Sequence, residues 1–589
     1  MSYPEDFGEY KRKEQCKEIF VMLKEHKEKT GEAKEPKFLG TMPTYRELFP
    51  EHGAVGEKSI RKILNNLYQR DCLMILSQLS KHYYKYCQRG CGGENSLDIY
   101  KQRCVELLEP QIQKRIREHE PDPPKDYMVI FPELSIVHLI KLCLLHCDAT
   151  KYTKEENFPQ NTLYGMGKSL LIVNSIFADW QLKNTSEDNR MSLDLLANLS
   201  KQQIVDKNFD MSQQMYQNYF IFKNLLDNYS SEFDIQKLFQ EKFGVEVQEY
   251  FAFLMVLQGQ YDIKDTPEED SELPYLDFDI ALKNLKSKYQ RKLLDSLLIN
   301  NLNYKKIDPS FFNVTDVVKQ PLVKLPDNKI IPLNLRRLFN RLSSSVYFDL
   351  LDFISGEKEK TTFSQYFGYA VEDYFKNMIQ AIDANVLFPR YGKADGQEAN
   401  DAVLVQKDSV IFFECKKRPF HNLEFLQKGD GDDYLNRLKE SYFKPLDQIC
   451  KRIKDFRDGK FSIDGVSNDA VVYPVVVSPT APPLFSGAWD KFNLNQYVLP
   501  EYYNHDDRIA QPEFIDFSEL GHIEEVLKRK LADSFVDLIK KKRADAVHHN
   551  ANFSVFLHKN RMIFYNKRML ELYLKEVEDF KELLFDVSK

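Results

Sequence analysis

Two short apolar runs break the helical periodicity that fills most of this chain. Ala402-Val403-Leu404-Val405-Gln406 and Ser409-Val410-Ile411-Phe412-Phe413 flank a Lys407-Asp408 step. Runs of this kind around a two-residue polar break predict a β-hairpin. Counting outward from the break sets the register: Gln406 opposes Ser409, Val403 opposes Phe412, and Asp401 opposes Glu414. Opposed side chains have Cβ atoms ~5 Å apart, so two carboxylates share one face. Lys416 joins that face by period-2 alternation. Like charges opposed between such apolar strands are destabilising, and a divalent cation between them reverses the sign.

Helical stripes surround the hairpin. Upstream, Phe367, Val371, Tyr374, Phe375, Met378 and Ile382 recur at helical spacing, with Glu372 flanking the stripe. Residues 385–391 predict a first strand. Downstream, Leu446, Ile449, Cys450, Ile453 and Phe456 predict another helix, with Gln448, Lys451 and Arg452 on its other face. The β-branched run 470–477 predicts a buried strand.

Asp401, Glu414 and Lys416 are the residue types that phosphodiester hydrolysis needs. Two carboxylates can hold Mg²⁺ or Mn²⁺, which polarises a phosphoryl oxygen and acidifies a bound water. A lysine steadies the attacking water or the developing negative charge. Asp401 followed by Glu414-Cys415-Lys416 resembles the PD-(D/E)xK nuclease superfamily, with Asn400 where that family has proline. The order helix, strand, strand, strand, helix, strand over residues 355–545 is similar to its α/β/α core. The resemblance implies catalytic Asp401, Glu414 and Lys416, and a metal set of Asp401, Glu414 and Glu372, with Asp373 as an alternative to Glu372. It also implies an accessory Gln448 and DNA as substrate, with RNA left open. By residue type alone, Glu414 and Lys416 also fit a solvated salt bridge worth under ~1 kcal/mol, and Glu372 a solvated helix flank.

Composition narrows the rest. The 589 residues carry 82 Lys and Arg against 89 Asp and Glu, a net charge of -7, so nucleic-acid contact would rest on local patches. Lys417 and Arg418 beside the hairpin, and Lys451 and Arg452 on the next helix, are such candidates. Two further basic clusters, 528–530 and 540–543, read equally as helix ends favoured by the macrodipole. Residues 1–20 are charged throughout and lack an apolar signal region. No run of 18 apolar residues occurs, so a cytoplasmic protein without a membrane partner is expected. Nine cysteines at low density predict reduced thiols. Cys87-x3-Cys91 and Cys143-x2-His146-Cys147 invite a zinc reading but lack paired Cys knuckles. Buried thiols on an apolar helix are the expectation, with zinc as the alternative.

Gly165-Met166-Gly167-Lys168-Ser169 lacks the first glycine and preceding strand of a phosphate-binding loop, and reads as a loop entering a helix. Residues 44–67 resemble a winged helix-turn-helix, in which Lys58 and Arg61 would open a recognition helix for DNA. A helical scaffold or a surface for a protein partner or a second copy is the other reading.

The expected fold is an α+β multidomain chain. A largely α-helical N-terminal region precedes an α/β/α restriction-endonuclease-like C-terminal domain. The boundaries are a helical, winged-helix-like 1–120, a helical 127–262, an acidic linker 263–277, a connector 278–350, the nuclease-like 355–545, and an extension 546–589 holding a strand and a last helix. The expected function is a Mg-dependent endodeoxyribonuclease of restriction-like or anti-phage defence type. A nuclease-fold binding subunit without turnover, or a winged-helix regulator, stays open.

Overall fold

The computed structural model describes residues 43–52, 55–87, 96–119, 130–154, 157–184, 211–261, 275–285, 287–299, 306–311, 313–389, 400–417, 430–479, 506–545 and 552–584. Among them the chain is mostly helical, with two four-stranded sheets, an α+β architecture. No helix among the described residues is long and apolar enough to cross a membrane.

The first layer is helical. α1 (Tyr45–Leu48) starts at a capping box, in which Thr44 and Glu47 bond each other's backbone N–H. α2 (Glu57–Leu64) buries Ile60 and Leu64 and leaves Lys58 and Arg61 exposed. α3 (Gln69–Cys87) and α4 (Glu133–His146) pack side by side. α4 is apolar on nearly every side and is buried from Glu133 to Leu144. α5 (Gln160–Asn184) runs without interruption through the glycine-bearing stretch that the sequence reads as a loop. Helix wins there because the glycines admit close neighbours. A Cβ on Gly167 would lie 2.0 Å from the Leu107 carbonyl oxygen, and one on Gly165 would lie 3.2 Å from both Ile63 and Leu67.

α6 (Met211–Tyr229) and α7 (Val247–Tyr261) form a second, aromatic-rich layer. A small sheet follows, ordered β1-β4-β3-β2, from β1 (Leu276–Asp277), β2 (Leu298–Ile299), β3 (Leu322–Lys324) and β4 (Lys329–Pro332). β3 and β4 form a hairpin turned at Asn328, which has φ 68°. Of the expected acidic linker, 263–274 lie outside the described residues, while Leu276 and Asp277 pair with β4.

α8 (Leu335–Ser344) leads to the long α9 (Glu357–Ile382). The second sheet has order β5-β6-β7-β8, made of β5 (Ala402–Gln406), β6 (Ser409–Cys415), β7 (Val471–Ser478) and β8 (Glu513–Asp516). β5 and β6 are antiparallel, and β6, β7 and β8 are parallel. Between β6 and β7 lie α10 (Gly431–Leu438), a π-helical turn at Lys439–Phe443, and α11 (Lys444–Arg457). After β8 come α12 (Phe517–Lys528), α13 (Phe535–Ala544), α14 (Phe553–Lys559) and α15 (Lys567–Leu584). Alternation gives each sheet face its own core. Leu404, Ile411, Phe413, Val475 and Val477 pack with α9, α12 and α13. Val403, Val410, Phe412, Val472 and Val476 pack with α10 and α11.

Two more expectations change. The first strand is reduced to a single bridge between Leu387 and Val403, and 390–399 lie outside the described residues. The strand expected after residue 553 is α14, because Phe553, Phe556 and Leu557 bury one helical face.

Candidate functional site

The hairpin has the register that the two-residue break implies. Gln406 pairs with Ser409 and Val403 with Phe412, and the turn at Lys407 takes φ 55°. The ladder stops at Ala402 opposite Phe413. Asp401, one residue earlier, lies in a bend, and its Oδ2 accepts a hydrogen bond from the Cys415 N–H at 2.7 Å. The carboxylate is therefore tied to β6 between Glu414 and Lys416. The Lys416 N–H donates to the Val477 carbonyl at 2.7 Å, which carries the β6–β7 pairing past Cys415.

α9 approaches from the other side of the sheet. Glu372 pairs with Lys376 one turn along and with Lys417 beyond β6, each at 2.7 Å. The neighbouring Asp373 accepts from the Tyr229 hydroxyl at 2.8 Å and from Asn228 at 3.4 Å, so α6 holds it away. Glu372 is thus the α9 carboxylate that acts on Asp401.

The electrostatics follow from burial and these partners. Burial pushes the Asp401 carboxyl up from 3.8 to about 6, and the charge of Glu372 adds to the rise. The Cys415 N–H, Lys417 and Lys376 pull the other way. Burial also opposes ionisation of Glu372, but its bonds to Lys376 and Lys417 outweigh it and hold that carboxyl below its ordinary range. Lys416 is drawn below the usual lysine range by burial, against the pull of Glu414 and Asp401.

The other sequence candidates are dispersed. Gln448 is half-buried on α11, and Lys451 is exposed on the same helix. Arg452 pairs with Asp455 at 3.4 Å. Arg418 lies outside the described residues. Lys58 and Arg61 are on α2, in the first helical layer, and Arg61 pairs with Glu57 at 3.5 Å. In the two C-terminal basic clusters, Lys542 and Arg543 both pair with buried Glu513, and Lys528 pairs with Glu524. These cations anchor the C-terminal helices.

Sequence reasoning missed two features. Lys376 is one, although its i+4 spacing from Glu372 is a readable signal. The π-helical turn is the other, and it puts Glu440 and Lys444 in the electrostatic surroundings of Lys416. Its trace in the sequence is Pro445, which has no N–H to give the Ser441 carbonyl and so relaxes the regular ladder. Among the described residues, one group of three His, Cys, Asp or Glu side chains has all its ligand atoms within 4.8 Å of one another. It is Cys72, Cys143 and Cys147, remote in sequence from this sheet. Compared with family models, curated proteins and solved structures, the chain matches none.

Proposed function

We propose that this chain is a metal-dependent nuclease that hydrolyses DNA phosphodiester bonds, with a PD-(D/E)xK-type domain at about 355–545. The observation that carries the reading is the β5–β6 register, which sets Asp401 against the backbone beside Glu414 and Lys416. Asp401 and Glu414 are hard oxygen donors of the kind that suits Mg²⁺ or Mn²⁺. Burial, and to a lesser degree the charge of Glu372, disfavours an ionised Asp401, and a bound cation would offset both. Asp401 and Glu414 would hold the ion, and Glu372 on α9 would have to leave Lys376 and Lys417 to join them. A bound ion supplies Lewis-acid polarisation of a phosphoryl oxygen and a more acidic water. Lys416 would donate hydrogen bonds to the charge that develops on the phosphoryl group. Lys376 and Lys417 keep Glu372 ionised, and exposed Lys451 can meet the backbone phosphates. The helical layers before residue 340 suit sensing, a partner or a second copy, as in a restriction-like or anti-phage defence effector acting in the cytoplasm.

One observation favours a second reading, a nucleic-acid-binding subunit without turnover: Glu372 is already compensated by two lysines. Incubation with plasmid DNA separates the two. The enzyme should cut with Mg²⁺ or Mn²⁺ and stop with EDTA. Asp401→Ala, Glu414→Ala and Lys416→Ala should each cost about 10²-fold or more in rate, without additivity and with the fold intact. A Glu414→Ala protein that cuts at the wild-type rate removes the assignment. DNA retention without cutting selects the second reading.

A further inference from the structure

We propose that Cys72, Cys143 and Cys147 form a trithiolate binding site for Zn²⁺, separate from the carboxylate site on the second sheet. The inference stands apart from the nuclease reading, because soft sulfur donors select a different class of ion from hard oxygens.

The three sulfurs converge for reasons visible in the backbone. Cys143 lies in the last turn of α4, and Cys147 follows one turn later, its N–H bonded to the Cys143 carbonyl at 3.1 Å. Cys72 lies in the first turn of α3. A short parallel bridge, Tyr68 with Asp148, clamps the two helix ends together. In it, the Gln69 N–H donates to the Asp148 carbonyl at 2.9 Å, and the Asp148 N–H to the Leu67 carbonyl at 3.1 Å. The Gln69 side chain then caps the carbonyls of Leu144 and Cys143, at 3.2 and 3.4 Å. Three elements thus fix three thiols around one point.

The spacing fits an ion. All three sulfurs lie within 4.8 Å of one another, and Cys72 and Cys147 are 3.8 Å apart. Zn–S bonds of about 2.3 Å at tetrahedral angles put ligand sulfurs ~3.8 Å apart. Cys72 and Cys143 are fully buried, whereas Cys147 is half-buried and gives the site its approach. Directly before it, His146 has a buried Nε2 without a hydrogen-bond partner among the described residues. Cys104 and Cys450, also buried, belong to no such group. Spacing along the chain hides the set, because Cys72 and Cys147 are 75 residues apart. A local motif therefore shows Cys143 and Cys147 together and leaves out Cys72.

An ion held there would fasten the turn between α2 and α3 to the end of α4, as a structural zinc does. The full-length protein, expressed with added zinc and purified under reducing conditions, should hold about one Zn²⁺ per chain by mass spectrometry. Cys147→Ser and Cys72→Ser should each lower that to about a tenth or less, and Cys104→Ser should leave it unchanged. A second measurement needs no variant: Zn²⁺ added to the reduced, metal-free protein should slow iodoacetamide labelling of Cys147 about tenfold. Wild-type protein that holds no zinc, takes up none when it is added, and labels at the same rate with and without it would leave three packed thiols and overturn the proposal.

Discussion

Asp401 joins an apolar strand end to a charge, and its behaviour with pH exposes that conflict. Its carboxyl ionises at about 6 against an ordinary 3.8. The folded chain therefore holds this proton more tightly than the unfolded chain does. The stability that results is complete below about pH 4 and is lost as pH rises through about 6. Asparagine cannot ionise, yet it can still accept the Cys415 N–H. Metal-free Asp401→Asn should melt above the wild type at about pH 8, and the gap should close near pH 4. Mg²⁺ should raise the wild-type melting temperature more than that of the variant. Melting curves that stay superimposed at both pH values would remove the buried charge from the account. At this scale the hairpin register up to Ala402 opposite Phe413 was legible, because a two-residue break and a period of two leave one register. Asp401, however, lies in a bend past the ladder, bonded to the Cys415 N–H instead of facing Glu414 across it. The pairing of Glu372 with Lys417 was not legible. Lys417 reads in sequence as a cation for nucleic acid, and only tertiary packing brings it to α9.

Elements with a strong period were legible, and those defined by their neighbours were not. The β5–β6 hairpin and the stripe of α9 follow from hydrophobic spacing. The course of α5 through its glycines follows from the close approach of Leu107, which no local signal encodes. Two glycines give opposite expectations. Gly167→Ala drives a methyl into the Leu107 carbonyl and should cost ~1–3 kcal/mol, as overpacking does. Gly259→Ala, on the exposed side of α7 with nothing within 4 Å, should stabilise by up to ~0.5–1 kcal/mol through helix propensity. Chemical denaturation of both variants checks the pair. Equal effects would mean that the Gly167 neighbourhood relaxes freely.

For the whole molecule, the aromatic layer between α6 and α9 matters most. Phe222 meets Phe367 at 5.4 Å, and Tyr229 meets Tyr366 and Tyr369 at 6.0 and 5.9 Å. The sequence suggests a break in contacts near Asp277, yet this core runs across that position. A fragment from about residue 340 would expose this face of α9, at ~1.5–3 kcal/mol for each large apolar side chain uncovered. It should aggregate or bind hydrophobic dye, while the full chain stays monodisperse. A well-folded, soluble fragment would show the layer to be dispensable. α15 closes the same layer. The Tyr219 hydroxyl donates to Glu576 at 2.6 Å across 357 residues, and Tyr216 lies 5.6 Å from Tyr573. A ribosome adding ~5–20 residues per second needs roughly 20–70 s to reach α15 after it has made α6. Through that interval α6 waits without its final partner, so the nascent chain must keep an aromatic surface from sticking to others until α15 has been made.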